Sequence, residues 1–284
     1  MKRILPGACI LLAAVATCCA DKKNDTQHID IEEIATLHLK EVSGLEYVNG
    51  TLWAQEDSGN NASLYIIDQK TGKHTEVPVT NAKNNDWEDL AADEAGNLYV
   101  GDFGNNENDR TNLAIYALGK PGNEIAVTGT TTFNYPEQKD FPAKKKDRNF
   151  DCEAFFEYKG NFYLFSKNRC VPADDIVKVR KVSKTGATSA VTIGSFSTCD
   201  NFRKCAIAGA DISPDGKTIA LVSGSKLWLI TGYKGDDFAH GTIQSYDLGK
   251  TTQKEAVCFT DNKTLLVADE KDKKDGGKLY RIKL

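Results

Sequence analysis

The chain has 284 residues, 40% hydrophobic, 27% charged and 9% aromatic, with 23 Gly and 7 Pro, fractions that exclude disordered, collagen-like and multi-span membrane chains. Its 36 basic and 40 acidic residues leave a net charge of −4. Such a mildly acidic surface lacks the basic footprint that a nucleic-acid polymer requires of a partner.

The first twenty residues read as an address. Lys2 and Arg3 precede an apolar run over residues 4–15, which is too short to span a bilayer comfortably and is followed by small residues. Its end, Val15-Ala16-Thr17-Cys18, resembles a bacterial lipobox, in which the cysteine is lipidated and becomes the first mature residue. This reading gives a signal peptide over residues 1–17, a tether over 18–27 lipidated at Cys18, and a single domain over 28–284. An ordinary cleaved signal without lipid is the alternative. The implied location is the bacterial cell envelope, with the membrane engaged through the anchor and the facing leaflet left open. Loss of Lys2 and Arg3 takes the net charge from −4 to −6.

Five cysteines fall inside the domain, in a compartment that permits disulfides. Cys199 and Cys205 bracket a five-residue loop and are expected to pair. Cys152 and Cys170 sit on two runs joined by a Lys159-Gly160 turn, which predicts a cross-strand bridge. Cys258 reads as a buried free thiol, and the absence of C-x-x-C removes support for a zinc or redox motif.

Alternating apolar runs of five to eight residues dominate the rest, and five stretches share one plan. Each is a strand, a short turn holding Gly or Asn, and a second strand: Ser43-Gly44-Leu45 leads to Leu52-Trp53-Ala54, and Glu88-Asp89-Leu90 to Leu98-Tyr99-Val100. The other three open at Glu153-Ala154-Phe155, Ala210-Asp211-Ile212 and Glu255-Ala256-Val257. Third strands are expected over 64–68, 113–118, 176–182, 227–230 and 279–284. The starts at 43, 88, 153, 210 and 255 lie 45, 65, 57 and 45 residues apart, and a four-stranded propeller blade takes about 40–50 residues. The reading is an all-β chain, a β-propeller of five blades, with six as the alternative if 110–150 holds a degenerate blade. The last unit has only three strands, so residues 29–39 are expected to supply the fourth and close the ring.

Aligning the repeats on Leu45, Leu90, Phe155, Ile212 and Val257 places Ser43, Glu88, Glu153, Ala210 and Glu255 at one level of the central channel. Three carboxylates around one axis repel unless a cation or protons intervene, and hard oxygen donors favour Ca²⁺. The expected metal ligands are Ser43, Glu88, Glu153 and Glu255, with Asp211 as a possible replacement in the fourth unit; solvated carboxylates at a wide mouth are the alternative. The second strands return to the same face and end in Glu56-Asp57, Asp102, Ser166-Lys167, Ser223 and Asp269-Glu270. Ligand-binding candidates are therefore Glu56, Asp57, Asp89, Asp102, Asn105, Asn106, Arg110, Lys167, Arg169 and Asp269. This mixture of carboxylates, amides and cations suits a phosphate, glycan or other small-molecule ligand, or a protein partner, bound by a monomer. Lys144-Lys145-Lys146 reads as a solvated charge run.

Ser43-Gly44-Leu45, Asp57-Ser58-Gly59, Asp86-Trp87-Glu88-Asp89, Gly101-Asp102-Phe103-Gly104-Asn105-Asn106 with Arg110, and Asp151-Cys152-Glu153-Ala154 together resemble a family of bacterial secreted propellers. That family lies near the propellers labelled as having esterase-like activity of phytase. The blade register is also similar to that of the calcium-activated nucleotidases, or apyrases. The apyrase resemblance implies a central calcium held at Ser43, Glu88, Glu153 and Glu255, with Ala210 departing from the pattern. Two functions follow as expectations. One is a lipid-anchored propeller whose calcium-loaded, carboxylate-rich face binds a ligand or partner. The alternative is a calcium-dependent phosphoester hydrolase, with Asp57 or Asp102 positioning water and Lys167 and Arg110 neutralising charge. No nucleophile or base motif decides between them.

Overall fold

The computed structural model describes residues 27–184, 189–272 and 275–284. The signal peptide, Cys18 and nearly all of the tether lie outside these residues.

The described chain is nearly all strand. Blade 1 comprises Val42–Val48, Thr51–Glu56, Ser63–Ile67 and His74–Thr80, with Ile125–Ala126 added in parallel at its outer edge. Blade 2 is Trp87–Ala92, Leu98–Asp102, Leu113–Gly119 and Gly129–Phe133; blade 3 is Cys152–Tyr158, Asn161–Ser166, Ile176–Ser183 and Val191–Ser197. Blade 4 is Gly209–Ile212, Thr218–Val222, Lys226–Thr231 and Thr242–Asp247. Blade 5 has Lys254–Asp261, Thr264–Asp269 and Lys278–Lys283 from the end of the chain, and Ile31–Thr36 from its beginning. The first strand of each blade contacts the first strands of the two neighbouring blades, and the fifth returns to the first. The chain is a five-bladed β-propeller.

The six-blade alternative is excluded by the segment that prompted it. Leu113–Gly119 and Gly129–Phe133 are the outer strands of blade 2, and the following residues form a loop with one 3₁₀ turn, Lys145–Asp147. Ring closure follows the expectation, over a shorter stretch. Gln27–His28 pairs parallel with Thr242–Asp247, and Ile31–Thr36 pairs antiparallel with Lys278–Lys283. The N-terminal segment thereby straps blade 4 to blade 5 and covers two edges.

Each apolar cluster fills one gap between neighbouring blades, because a strand buried on both faces presents apolar residues to both neighbours. Trp53 and Leu64 of blade 1 meet Trp87 and Val100 of blade 2, and Tyr99 and Phe133 of blade 2 meet Phe155 and Phe162 of blade 3. Phe156 and Tyr163 meet Trp228 and Phe238, Val222 and Leu227 meet Val257 and Leu265, and Cys258 and Leu266 meet Leu45 and Leu52. The inner strands approach so closely that side chains are excluded at two points. A Cβ at Gly44 would lie 2.7 Å from the amide nitrogen of Leu90, and one at Gly209 would lie 2.6 Å from the carbonyl oxygen of Glu255.

Cys199 and Cys205 form a disulfide around the short helix Phe202–Cys205. The predicted Cys152–Cys170 bridge does not form: both are buried free thiols, as is Cys258. Register is the reason. Cys152 lies opposite Ser166 at the end of its partner strand, so Cys170 falls in the loop beyond and is carried away from it.

Candidate functional site

In four blades the pairing between the first and second strands slips by one residue. The residue left over is Ser43, Glu88, Glu153 and Glu255, respectively. A bulge of this kind breaks the two-residue alternation and re-aims a side chain. Without it, Glu88 would share the apolar sheet face of Leu90. Blade 4 pairs from Gly209–Val222 to Ile212–Ile219 with no slip, and it is the blade that carries Ala210.

The four bulged residues do not form an equivalent ring. Lys167 binds Glu153, and its Nζ lies 3.6 Å from a Glu255 carboxylate oxygen. Arg169 reaches Glu153 at 2.9 Å and also binds Asp151 and the side-chain oxygen of Asn106. Ser43 Oγ donates to the Trp87 carbonyl at 3.3 Å and accepts from Gln55 Nε2 at 3.1 Å. Glu88 instead joins Asp57 and Asp86, and one oxygen from each of the three lies within 4.8 Å of the others. Two oxygens on opposite sides of one Ca²⁺ stand about 5 Å apart, so the spacing fits a single hard cation. A Cβ at Gly104 would collide with carboxylate oxygens of Glu88 and Asp86, so only a glycine backbone fits against them. Gln55, linked through Ser43 to the Trp87 carbonyl, has a buried Oε1 with no hydrogen-bond partner among the described residues. The carboxylate trio and the glycine pressed against it together fit a cation.

Electrostatics point the same way. Burial, reinforced by Asp86, Glu255 and Glu41, pushes Asp57 up to about 6 despite the Ser58 N–H. Burial, then Glu153, Asp57 and Asp151, holds Glu88 well above the usual carboxylate range, and burial also raises Asp86. Glu153 rises to about 8 through burial and Glu255, with Lys167 and Arg169 opposing; Glu270 rises to about 8 through burial, Glu255 and Asp57. Burial works against the Lys167 charge, but Glu153 and Glu255 outweigh it and hold the ammonium above its ordinary range. Carboxylates outnumber cations at this mouth, and the deficit of positive charge centres on Asp57, Asp86 and Glu88.

Several sequence candidates prove to be internal staples. Asp102 is fully buried and accepts from Asn85 Nδ2 (2.7 Å), the Asp86 N–H (3.1 Å), Arg110 Nη2 (2.9 Å) and Tyr116 Oη (3.1 Å). Asp269 accepts from the Lys278 N–H at 2.6 Å and Tyr280 Oη at 3.1 Å, and Glu56 accepts from the Lys40 N–H at 2.9 Å. Asn105 folds its own loop, donating to the Phe150 carbonyl and accepting from the Asp109 and Arg110 N–H groups. The recurrence of acids at the ends of the second strands therefore closes blades and loops. Arg110 serves Asp102 and the Gly104 carbonyl, with Asp86 3.8 Å away.

Asp89 and Asp211 leave the mouth altogether. Asp89 accepts from the N–H groups of Leu90 (2.9 Å), Phe155 (3.1 Å) and Ala210 (3.3 Å), tying blade 2 to blades 3 and 4 across the channel. Asp211 accepts from Ile212 and Phe259 and, with Glu46, floors a cavity of about 600 Å³ at the opposite end. Burial raises Asp211 to about 7 and, together with the Asp211 charge, raises Glu46. Asp86, part of the Asp86-Trp87-Glu88-Asp89 motif, and Glu270, at a second-strand end, were not singled out from sequence as metal or ligand-binding residues. Asp86 stands two residues before Glu88, a spacing that marks it only once the bulge is known.

No protein-family model and no curated protein matches the chain. Among solved structures, the PQQ-bound aldose sugar dehydrogenase of Streptomyces coelicolor is similar over 89% of this chain and 98% of its own, with 11% identity and a TM-score of 0.54. A chain of a nidogen/laminin complex is similar over 81% of this chain and 72% of its own, with 16% identity and a TM-score of 0.45. The likeness to the dehydrogenase shows the propeller fold. The resemblance to the secreted-propeller and apyrase families rests on the motifs alone.

Proposed function

We propose that the carboxylate mouth binds Ca²⁺ through Asp57, Asp86 and Glu88, and that the loaded face binds an anionic or hydroxylated ligand, glycan or partner. In this reading the propeller works in the cell envelope, held by the lipid on Cys18. The observation that carries it is the trio of oxygens within 4.8 Å, two of whose owners, Asp57 and Glu88, have no ion-pair partner among the described residues. Lys167 stands in for positive charge on the Glu153–Glu255 side, which leaves the Asp57 side for the ion. A bound Ca²⁺ supplies charge for oxygen ligands that the protein's own cations do not. Glu153 and Glu255 then serve to hold Lys167, and Ser43 to link Gln55 to the Trp87 carbonyl.

Binding is favoured over phosphoester hydrolysis because three of the four groups assigned to catalysis are already engaged, and the fourth, Asp57, belongs to the carboxylate trio. Asp102 is buried under four donors, and Arg110 and Lys167 are committed to carboxylates. The aldose dehydrogenase shares the fold, and at 11% identity its cofactor and substrate do not transfer. The test is calorimetric Ca²⁺ titration and elemental analysis of the full-length protein, beside Asp57→Asn and Glu88→Gln. Near-stoichiometric calcium in the wild type and its loss in both variants is expected. Absence of calcium, or unchanged uptake by both variants, would refute the site; hydrolysis of a nucleotide panel only when calcium is present would restore the hydrolase.

A further inference from the structure

The end of the channel opposite the carboxylate mouth holds the cavity of about 600 Å³ that Glu46 and Asp211 floor. All five blades line it, through the ends of their first strands and the turns that follow. Six of the lining residues are acids and one, Lys159, is a cation. Lys184, reaching in from outside the lining, pairs with Asp93 at 2.7 Å and lies 3.6 Å from Glu157, and Lys217 pairs with Asp215 at 3.3 Å. Lys159 is exposed at the rim, over the Tyr158 ring at 4.7 Å. Glu46 and Asp211 are 6% and 8% exposed, and neither has a cation within ion-pair distance among the described residues.

Backbone amides fix these two acids in place without neutralising them. Asp211 accepts from the N–H groups of Ile212 and Phe259, each at 2.7 Å, and Glu46 accepts from the Tyr47 N–H at 2.9 Å. Burial raises both carboxyls, and the Asp211 charge adds to the rise of Glu46, as happens to buried acids with no cation beside them. An uncompensated buried charge is costly, so a cation entering the cavity gains what the protein leaves unpaired. The setting differs from the mouth. Three carboxylate oxygens gathered at ion-binding distance occur at Asp57, Asp86 and Glu88 and not here, among the described residues. The walls are instead partly apolar, with Tyr158, Ile212, Pro214 and Phe259, and the volume is that of a small organic ligand.

We propose that this cavity is a second binding site, for an organic cation: a primary amine carried on an apolar or aromatic body. The ammonium neutralises Glu46 and Asp211, and the body rests against Tyr158, Ile212 and Phe259.

Calorimetric titration of the full-length protein with tyramine, and with 4-ethylphenol as the same body lacking the ammonium, tests this. Tyramine is expected to bind at least about tenfold more tightly than 4-ethylphenol, the worth of one charge-assisted contact. Glu46→Gln is expected to weaken tyramine by a similar factor. In chelator that variant should melt at or above the wild-type temperature, since it removes one of two neighbouring buried charges, and the loss of binding is then not a loss of fold. Equal tyramine affinity in chelator and in calcium is expected, because the mouth lies at the other end of the channel. The comparison of wild type with Glu46→Gln stands whether or not the mouth takes calcium. No tyramine binding at about 10 mM, equal binding of 4-ethylphenol, unchanged binding by Glu46→Gln, or displacement of tyramine by calcium would each overturn the site.

Discussion

Glu88 and Asp89 are neighbours in sequence with opposite surroundings, and substituting each is expected to give opposite phenotypes. Asp89→Ala deprives three buried N–H groups of their acceptor: Leu90, Phe155 and Ala210, at 2.9, 3.1 and 3.3 Å. An unsatisfied buried donor costs about 1–3 kcal/mol, and the two cross-blade bonds are long enough to sit at the low end, so the gross loss is about 4 kcal/mol. Burial holds the Asp89 carboxyl well above its usual range, so its removal also relieves a desolvation cost, leaving about 3 kcal/mol net. In a domain of this size that lowers the melting temperature by about 6–12 °C. The bonds reach blades 3 and 4 and not the mouth, so calcium should still raise the melting temperature of this variant. Glu88→Gln removes a buried charge surrounded by Glu153, Asp57 and Asp151, so in chelator it should melt at or above the wild-type temperature while losing the calcium response. Thermal melts of both variants, with chelator and with calcium, read the four values. An Asp89→Ala protein as stable as wild type would refute the cross-channel tie; a Glu88→Gln protein that keeps the full calcium response would refute the donor trio.

Other outcomes follow from the same mouth and ring. Glu153 and Glu270 (each about 8) and Asp57 (about 6) titrate above their unfolded values of 4.5 and 3.8. The folded state therefore holds the extra protons, and stability in chelator should fall as pH rises from about 5 through 8. Denaturant titrations at the two ends check the sign, and a stability that climbs over this range would contradict it. Lys167→Met strips Glu255 of its ion pair and Glu153 of one of two; breaking a buried pair costs about 3–5 kcal/mol, reduced to about 2 kcal/mol by partial exposure and by Arg169, which remains. Its melting temperature in chelator should drop accordingly, and no drop would remove Lys167 as the internal counter-charge. Deleting residues 27–36 uncovers the edges of Thr242–Asp247 and Lys278–Lys283, and light scattering should then show self-association; a folded, monodisperse product would deny the strap its role.

The sequence by itself determined the propeller. Blade number, the third strand of each blade, the closing N-terminal strand and the Cys199–Cys205 pair are local or periodic features: alternation, turn residues, spacing and a short loop. It also picked out Ser43, Glu88, Glu153 and Glu255 as equivalent, because a repeated bulge leaves a repeated residue. Only the tertiary structure decided what those residues face. Lys167 sits on a loop of blade 3 and reaches Glu255 of blade 5 across the channel, a contact no spacing within one blade encodes. The same holds for Asp89, whose cross-blade donors lie 66 and 121 residues away, and for Cys152, whose register puts Ser166 where a cysteine was expected. Acids recurring at strand ends looked like ligands because sequence shows residue type and period. Whether an acid meets a backbone N–H, a lysine or open space depends on which chain segments the closed ring brings to it.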